Sequence, residues 1–216
     1  MEESTNREKV LKKVRSALIS KTSNPFPNLD MDSRVYNGDG IPVEIQFAES
    51  FLHNGGNFVL CNGRIELMET ILGVCDAHNY TDLVCVDKNL SAFLDEFEFP
   101  HQSIYDPEQD TDLQVVMIPC ECLIAHNGAV IVSNDNLFQP SLLQVTRNLI
   151  VVAHTHQMVF DYNEALAFLR SQHDKLPSTL HTLHAGYLKQ LHHYADDNQS
   201  GAITVILIQP YENQVG

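Results

Sequence analysis

Within VVMIPCECLIAHNGAVIVS, residues 115–133, two apolar runs enclose a polar corner holding Glu121, His126, Asn127 and Gly128, and Arg147 arrives just before the next apolar run. The set combines an acid, a ring that titrates near neutrality, a turn dipeptide with backbone N–H groups to offer, and a fixed cation. Together they form a candidate ligand-binding site: the turn and Arg147 would hold a small carboxylate or phosphate, while Glu121 or His126 handled a proton. Asn127-Gly128 is a strong turn signal because both residues tolerate positive φ.

Cys120-x-Cys122 lies in the same corner, but the five cysteines form no four-ligand pattern, so no metal is expected on this chain and the pair reads as two small apolar residues. Eleven histidines raise the same question. His181, His184, His192 and His193 lack the H-E-x-x-H arrangement, and His154-x-His156 reads as a turn. Asn62-Gly63 marks a second polar corner, ahead of a helix whose N-terminus favours an anion. There is no G-x-G-x-x-G and no P-loop, and neither Ser133 nor Ser141 sits in G-x-S-x-G.

The run "apolar strand, short polar turn, aliphatic-Ala-x-x-Gly, apolar strand" resembles the lactate-utilisation (LUD) domain family. Ala125, Gly128, Val130-Ile131-Val132 and the later run Leu149–Ala153 after Arg147 carry the likeness, which extends in order and spacing from Asn57 to Leu207. Where the family reads Ala-Glu-Thr-Gly, this chain has His126 and Asn127 in place of the Glu and Thr. The resemblance implies a three-layer α/β/α fold of the sugar-phosphate isomerase and CoA-transferase-like group. It also implies a role like that of the C component of lactate utilisation, supporting oxidation of L-lactate to pyruvate with iron–sulfur partner proteins that carry the clusters. Two other readings stand beside it: a small-molecule isomerase or transferase using an acid such as Glu121, and a binding or assembly module without chemistry, which the missing Glu and Thr favour.

The elements that must position these residues follow from periodicity. Val10, Leu11, Val14 and Leu18 predict an N-terminal amphipathic helix over Thr5–Lys21, and the Pro-, Asn- and Gly-rich stretch to Ile41 predicts a linker. The expected division is therefore 1–40, helix and linker, and 41–216, the α/β domain. Helices are predicted at Pro42–His53 (Val43, Phe47, Phe51 and Leu52 inward), Ile65–His78, Leu90–Phe97, Tyr162–His173 and Leu180–Tyr194. Strands are predicted at Asn57–Cys61, Leu83–Val86, Val115–Ile118, Ala129–Val132, Leu149–Ala153, Met158–Phe160 and Ala202–Ile208. Strands separated by helical lengths predict an α/β fold with a mostly parallel sheet.

Twenty-eight acidic against 13 basic residues give a formal charge of −15, which repels phosphate backbones and anionic lipid and argues against nucleic-acid and membrane partners. The absence of a leader-like apolar segment and the odd, scattered cysteines point to a reducing, cytoplasmic setting.

Overall fold

Five strands in the chain are apolar almost without interruption, and such runs are stable only where both faces are covered. In the computed structural model they form one fully parallel sheet: β1 (Asn57–Asn62), β2 (Leu83–Val84), β3 (Val115–Pro119), β6 (Leu149–His154) and β9 (Ile203–Gln209), in the order β1-β9-β6-β3-β2. The structure describes residues 40–137, 139, 141–192 and 201–209. The chain separates into two units, Met1–Asp39 and Gly40–Gly216, and only the second falls within the described residues. The helix expected over Thr5–Lys21 lies outside them.

Helices cover both faces, giving a three-layer α/β/α arrangement. On one face, α2 (Gly63–His78) and α3 (Lys88–Glu96) bury Leu67, Met68, Ile71, Phe93 and Leu94 against Val115, Met117, Ile150, Val152 and Ile206. The carboxylate of Asp87 caps α3 by accepting from Asn89 and Leu90 N–H groups at 3.0 and 2.9 Å, so this helix begins two residues earlier than periodicity predicts. On the other face lie α1 (Val43–His53), α4 (Asn134–Leu137), α5 (Leu142–Val145) and α7 (Tyr187–His192). Their Phe47, Phe51, Leu137, Leu142 and Leu188 pack with Ile118, Val151 and Val205.

A second sheet, which periodicity does not anticipate, lies on this same face. It contains β4 (Cys122–Ile124), β5 (Ala129–Ser133), β7 (Met158–Val159) and β8 (Leu180–Leu183) in the order β7-β4-β5-β8, with β5 antiparallel to both its neighbours. Leu123, Val130 and Val132 face the main core, while Cys122, Ile124 and Ile131 face α6 (Tyr162–Gln172) through Ala165 and Leu169. The alternation of β5 thus serves two cores.

Three expectations are corrected. Leu180–Tyr194 is not one helix: Leu180–Leu183 is a strand because β5 offers it a ladder, and helix begins only at Tyr187. Leu52 points outward, 53% exposed, because α1 turns Phe47 and Phe51 to the core instead. The run Val115–Ser133 is not strand, corner, strand; β4 divides the corner in two.

Candidate functional site

Ligands in parallel sheets gather outside the carboxyl ends of the strands, and here two crossovers leave that edge side by side for the small sheet. Pro119 lacks an N–H, so the main-sheet ladder stops there, and Cys120-Glu121 leads into β4. After His154 a 3₁₀ turn, Thr155–Gln157, leads from β6 into β7. Gln157 ties the two together: its Nε2 donates to the Cys120 carbonyl at 2.6 Å, and its Oε1 accepts from the His154 N–H at 2.7 Å.

Glu121 is fixed at this edge by its N–H, which donates to the Ile131 carbonyl at 2.8 Å, and its side chain is only 10% exposed. Its Oε2 lies 2.8 Å from His173 Nε2, at the end of α6. A carboxylate so far out of water needs a charged or hydrogen-bonded partner, and His173 supplies it. Fifty-two residues separate the two in sequence, and no local pattern marks His173 as a partner. The product is an acid–imidazole pair at a strand end, an arrangement suited to moving a proton.

The neighbouring rings and thiols set the electrostatics. His154 and His156 stack with centroids 5.4 Å apart, and burial, followed by the charge of His156, holds the His154 ring below its ordinary pKa. Cys120 is pushed well above the usual thiol range by burial, then by Cys122 and Glu121, and Cys122 is pushed up to about 12 by burial and Glu121. Both are therefore thiols at neutral pH and poor nucleophiles. They also pack into different cores, Cys120 in the main one and Cys122 beneath α6, so they do not converge on one ion. Among the described residues no three His, Cys, Asp or Glu side chains could hold a metal.

The other expected site residues lie elsewhere. His126, Asn127 and Gly128 form the far end of the β4–β5 hairpin, roughly 15 Å from Glu121 at strand spacing. Ala125 and His126 N–H groups donate to the Val159 and Phe160 carbonyls at 2.9 and 3.0 Å, so these two donors serve the small sheet. Only Gly128 takes positive φ, +62°, as expected of a four-residue hairpin loop closing in a left-handed residue. A Cβ there would lie 2.7 Å from the Phe51 nitrogen of α1, so the glycine permits the hairpin to touch the helix backbone. Asn127 Nδ2 donates to the Tyr162 hydroxyl at 3.3 Å, and its Oδ1 is buried without a partner.

Arg147 is at the opposite edge. Its N–H donates to the Leu113 carbonyl, ahead of β3, which places it on the order of 20 Å from Glu121 along the strand direction. There its guanidinium grips Asp112 through both Nε and Nη2 and holds that carboxyl below the usual range. Beside it, Asn148 binds the Gln114 carbonyl and the N–H groups of Gly201 and Ala202, which braces the starts of three strands. The structure does not bring Arg147 to the corner. At Asn62-Gly63, Glu66 already accepts from the Asn62 N–H at 2.7 Å, so the chain's own carboxylate takes the place expected for an anion.

A polar cleft of about 330 Å³ opens beyond β2, lined by Val86–Asn89, Asp135 and Asn136. Its Asp87 is engaged in capping α3, and Asn136 accepts from the Ser133 N–H at 2.9 Å.

No family model matches this sequence, and no curated protein matches it. A solved structure does: a DUF162 family protein from Deinococcus radiodurans, at a TM-score of 0.55 and 17% identity, covering 77% of this chain and 96% of that one. DUF162 is the LUD-domain family, and at this identity the likeness shows the fold. Among the described residues no helix is long and apolar enough to cross a membrane.

Proposed function

We propose that this chain is a divergent LUD-domain protein acting like the C component of lactate utilisation: a cytoplasmic subunit that supports oxidation of L-lactate to pyruvate with partner proteins that carry the iron–sulfur clusters. One observation carries the reading. The Ala125-x-x-Gly128 frame that resembles the family motif forms a hairpin against the parallel sheet of a fold that matches nearly the whole of a DUF162 protein. That Cys120 and Cys122 pack into different cores is consistent with clusters carried by partners. In this reading a small hydroxy-carboxylate docks beside Glu121 and His173, with Glu121 accepting from its hydroxyl, and the turn His126–Gly128 holds the hairpin in place. Arg147 is left out because Asp112 and the far sheet edge claim it.

The test is reconstitution. Iron–sulfur lactate-oxidising subunits of a lactate-utilisation system are assayed for lactate-dependent dye reduction with and without this chain. The rate should fall several-fold when the chain is omitted and when Glu121→Gln replaces it; equal rates in all three samples sink the reading. The buried Glu121–His173 pair also favours an isomerase or transferase. That alternative requires turnover of a sugar phosphate or CoA ester by the chain alone, abolished in Glu121→Gln.

A further inference from the structure

A serine and a histidine meet beyond β2, at the edge of the main sheet. The chain past Pro100 runs beside that strand: the Gln102 N–H donates to the Leu83 carbonyl at 2.8 Å, and the Cys85 N–H donates to the Gln102 carbonyl at 2.9 Å. His101, held by this pairing, places Nε2 2.7 Å from Ser91 Oγ of α3 and Nδ1 3.0 Å from the Phe99 carbonyl. A carbonyl can only accept, so Nδ1 carries the ring proton, Nε2 is bare, and the Ser91 hydroxyl donates to it. A hydroxyl donating to a base whose other nitrogen is held by a third group is the arrangement that activates serine for acyl transfer, and geometry identifies it where no sequence motif does. The surrounding charges suit that chemistry. Ser91 is the fourth residue of α3, and helical side chains lean toward the N-terminus, so Oγ lies over the first turn, whose dipole favours negative charge. One turn later, Asp95 Oδ1 lies 4.0 Å from His101 Nε2, where it favours the imidazolium formed when the proton moves.

We infer that Ser91 and His101 form a dyad that takes a small acyl group from an activated ester. Ser91 Oγ bonds to the acyl carbon while its proton passes to His101 Nε2; the bond to the leaving oxygen breaks, and that oxygen departs with the proton. Water then adds to the acyl carbon, giving its proton to Nε2, and the acid leaves as Oγ takes that proton back. Access sets the substrate size: Ser91 is 8% exposed and the His101 side chain 4%, which restricts the acyl group to one as small as acetyl. A cleft of about 240 Å³ borders His101 between Pro100, Gln102 and Thr81–Leu83, and the leaving group would lie there. The inference goes beyond the lactate reading and does not depend on it, since neither Glu121 nor His173 takes part.

The test uses the full chain, p-nitrophenyl acetate and a small fluorophosphonate, with release of nitrophenol followed by absorbance and the modified residue located by peptide mass spectrometry. The folded protein should release nitrophenol and carry the phosphonate on Ser91. Ser91→Ala should abolish both signals. His101→Gln, which can still hydrogen-bond to Ser91 but cannot take its proton, should slow both by at least about a hundredfold. Circular dichroism establishes that each variant is folded, and peptide mapping of the parent chain decides the matter even where a variant does not fold. No modification of the folded protein by either reagent, modification only at other residues, modification of Ser91 only in denaturant, or an unchanged rate in folded His101→Gln would each overturn the inference and leave the contact as a packing hydrogen bond.

Discussion

The two ends of β4 are both corners, and they are built for different purposes. At one end, Glu121 and His173 put a nearly buried carboxylate against an imidazole, a costly arrangement that close packing alone does not require. At the other, Gly128 sits in a left-handed conformation with Phe51 backbone at the distance of a missing Cβ, and the polar groups of Ala125 and His126 serve the sheet. The recognisable motif marks the second corner and the acid–base pair occupies the first. A motif position and a chemical position can therefore be separated by one short strand.

The sharpest way to break this contrast is at Gly128. Gly128→Ala should cost about 2–5 kcal/mol, the strain of a left-handed alanine together with a clash against α1 that cannot relax without moving the helix. Chemical denaturation would check this, and a loss below about 0.5 kcal/mol would mean that the corner is not a backbone contact. Next in size is His173→Ala. It leaves Glu121 out of water without its partner and should cost about 1.5–3 kcal/mol, while Glu121→Gln, which keeps a hydrogen-bonding group of the same shape, should cost less. If both variants were as stable as the parent, the pair would be a solvated contact and the first corner would lose its distinction. A third outcome concerns the thiols. Cys120 and Cys122 should resist alkylation at pH 7.5 in the folded protein and react in denaturant, because burial keeps both protonated. Rapid labelling of the native chain would show the corner to be open.

The main sheet was legible because its strands are continuous apolar runs, and the positions of β1, β3, β6 and β9 follow directly from them. Of the small sheet only β5 and β7 were legible. β4 contributes only Cys122, Leu123 and Ile124, too few for any period, and β8 carries Leu180-His181-Thr182-Leu183, which becomes a strand through pairing with β5 and not through its own pattern. Losing β4 merged two corners into one, and that merger set Glu121 beside His126 in the expected site. Helix α1 was readable from Val43, Phe47 and Phe51 but Leu52 was misplaced, since a residue next to Phe51 in sequence lies about 100° round the helix from it. His173 has no sequence signal toward Glu121, because the contact forms only when α6 folds back over the small sheet.

Arg147 provides the smallest effect and the cleanest separation of the two sheet edges. Its partner Asp112 is half exposed, so the bidentate contact is screened by water and should contribute less than about 1 kcal/mol. The sign follows from the lowered pKa of Asp112, whose first cause is the hydrogen bond from Arg147. A carboxyl depressed in the folded state adds stability that is fully present above its unfolded pKa, about 3.9, and is lost as pH falls through the lower folded value. Arg147→Ala should therefore lower stability slightly at pH 7 and converge with the parent below about pH 3, as read from denaturant midpoints across pH 2–7. At the other edge nothing should change: the variant should match the parent in any lactate or pyruvate thermal shift that Glu121→Gln abolishes. If Arg147→Ala removed that shift as well, the far edge would be part of the site, and the assignment of binding to the Glu121 corner would fall.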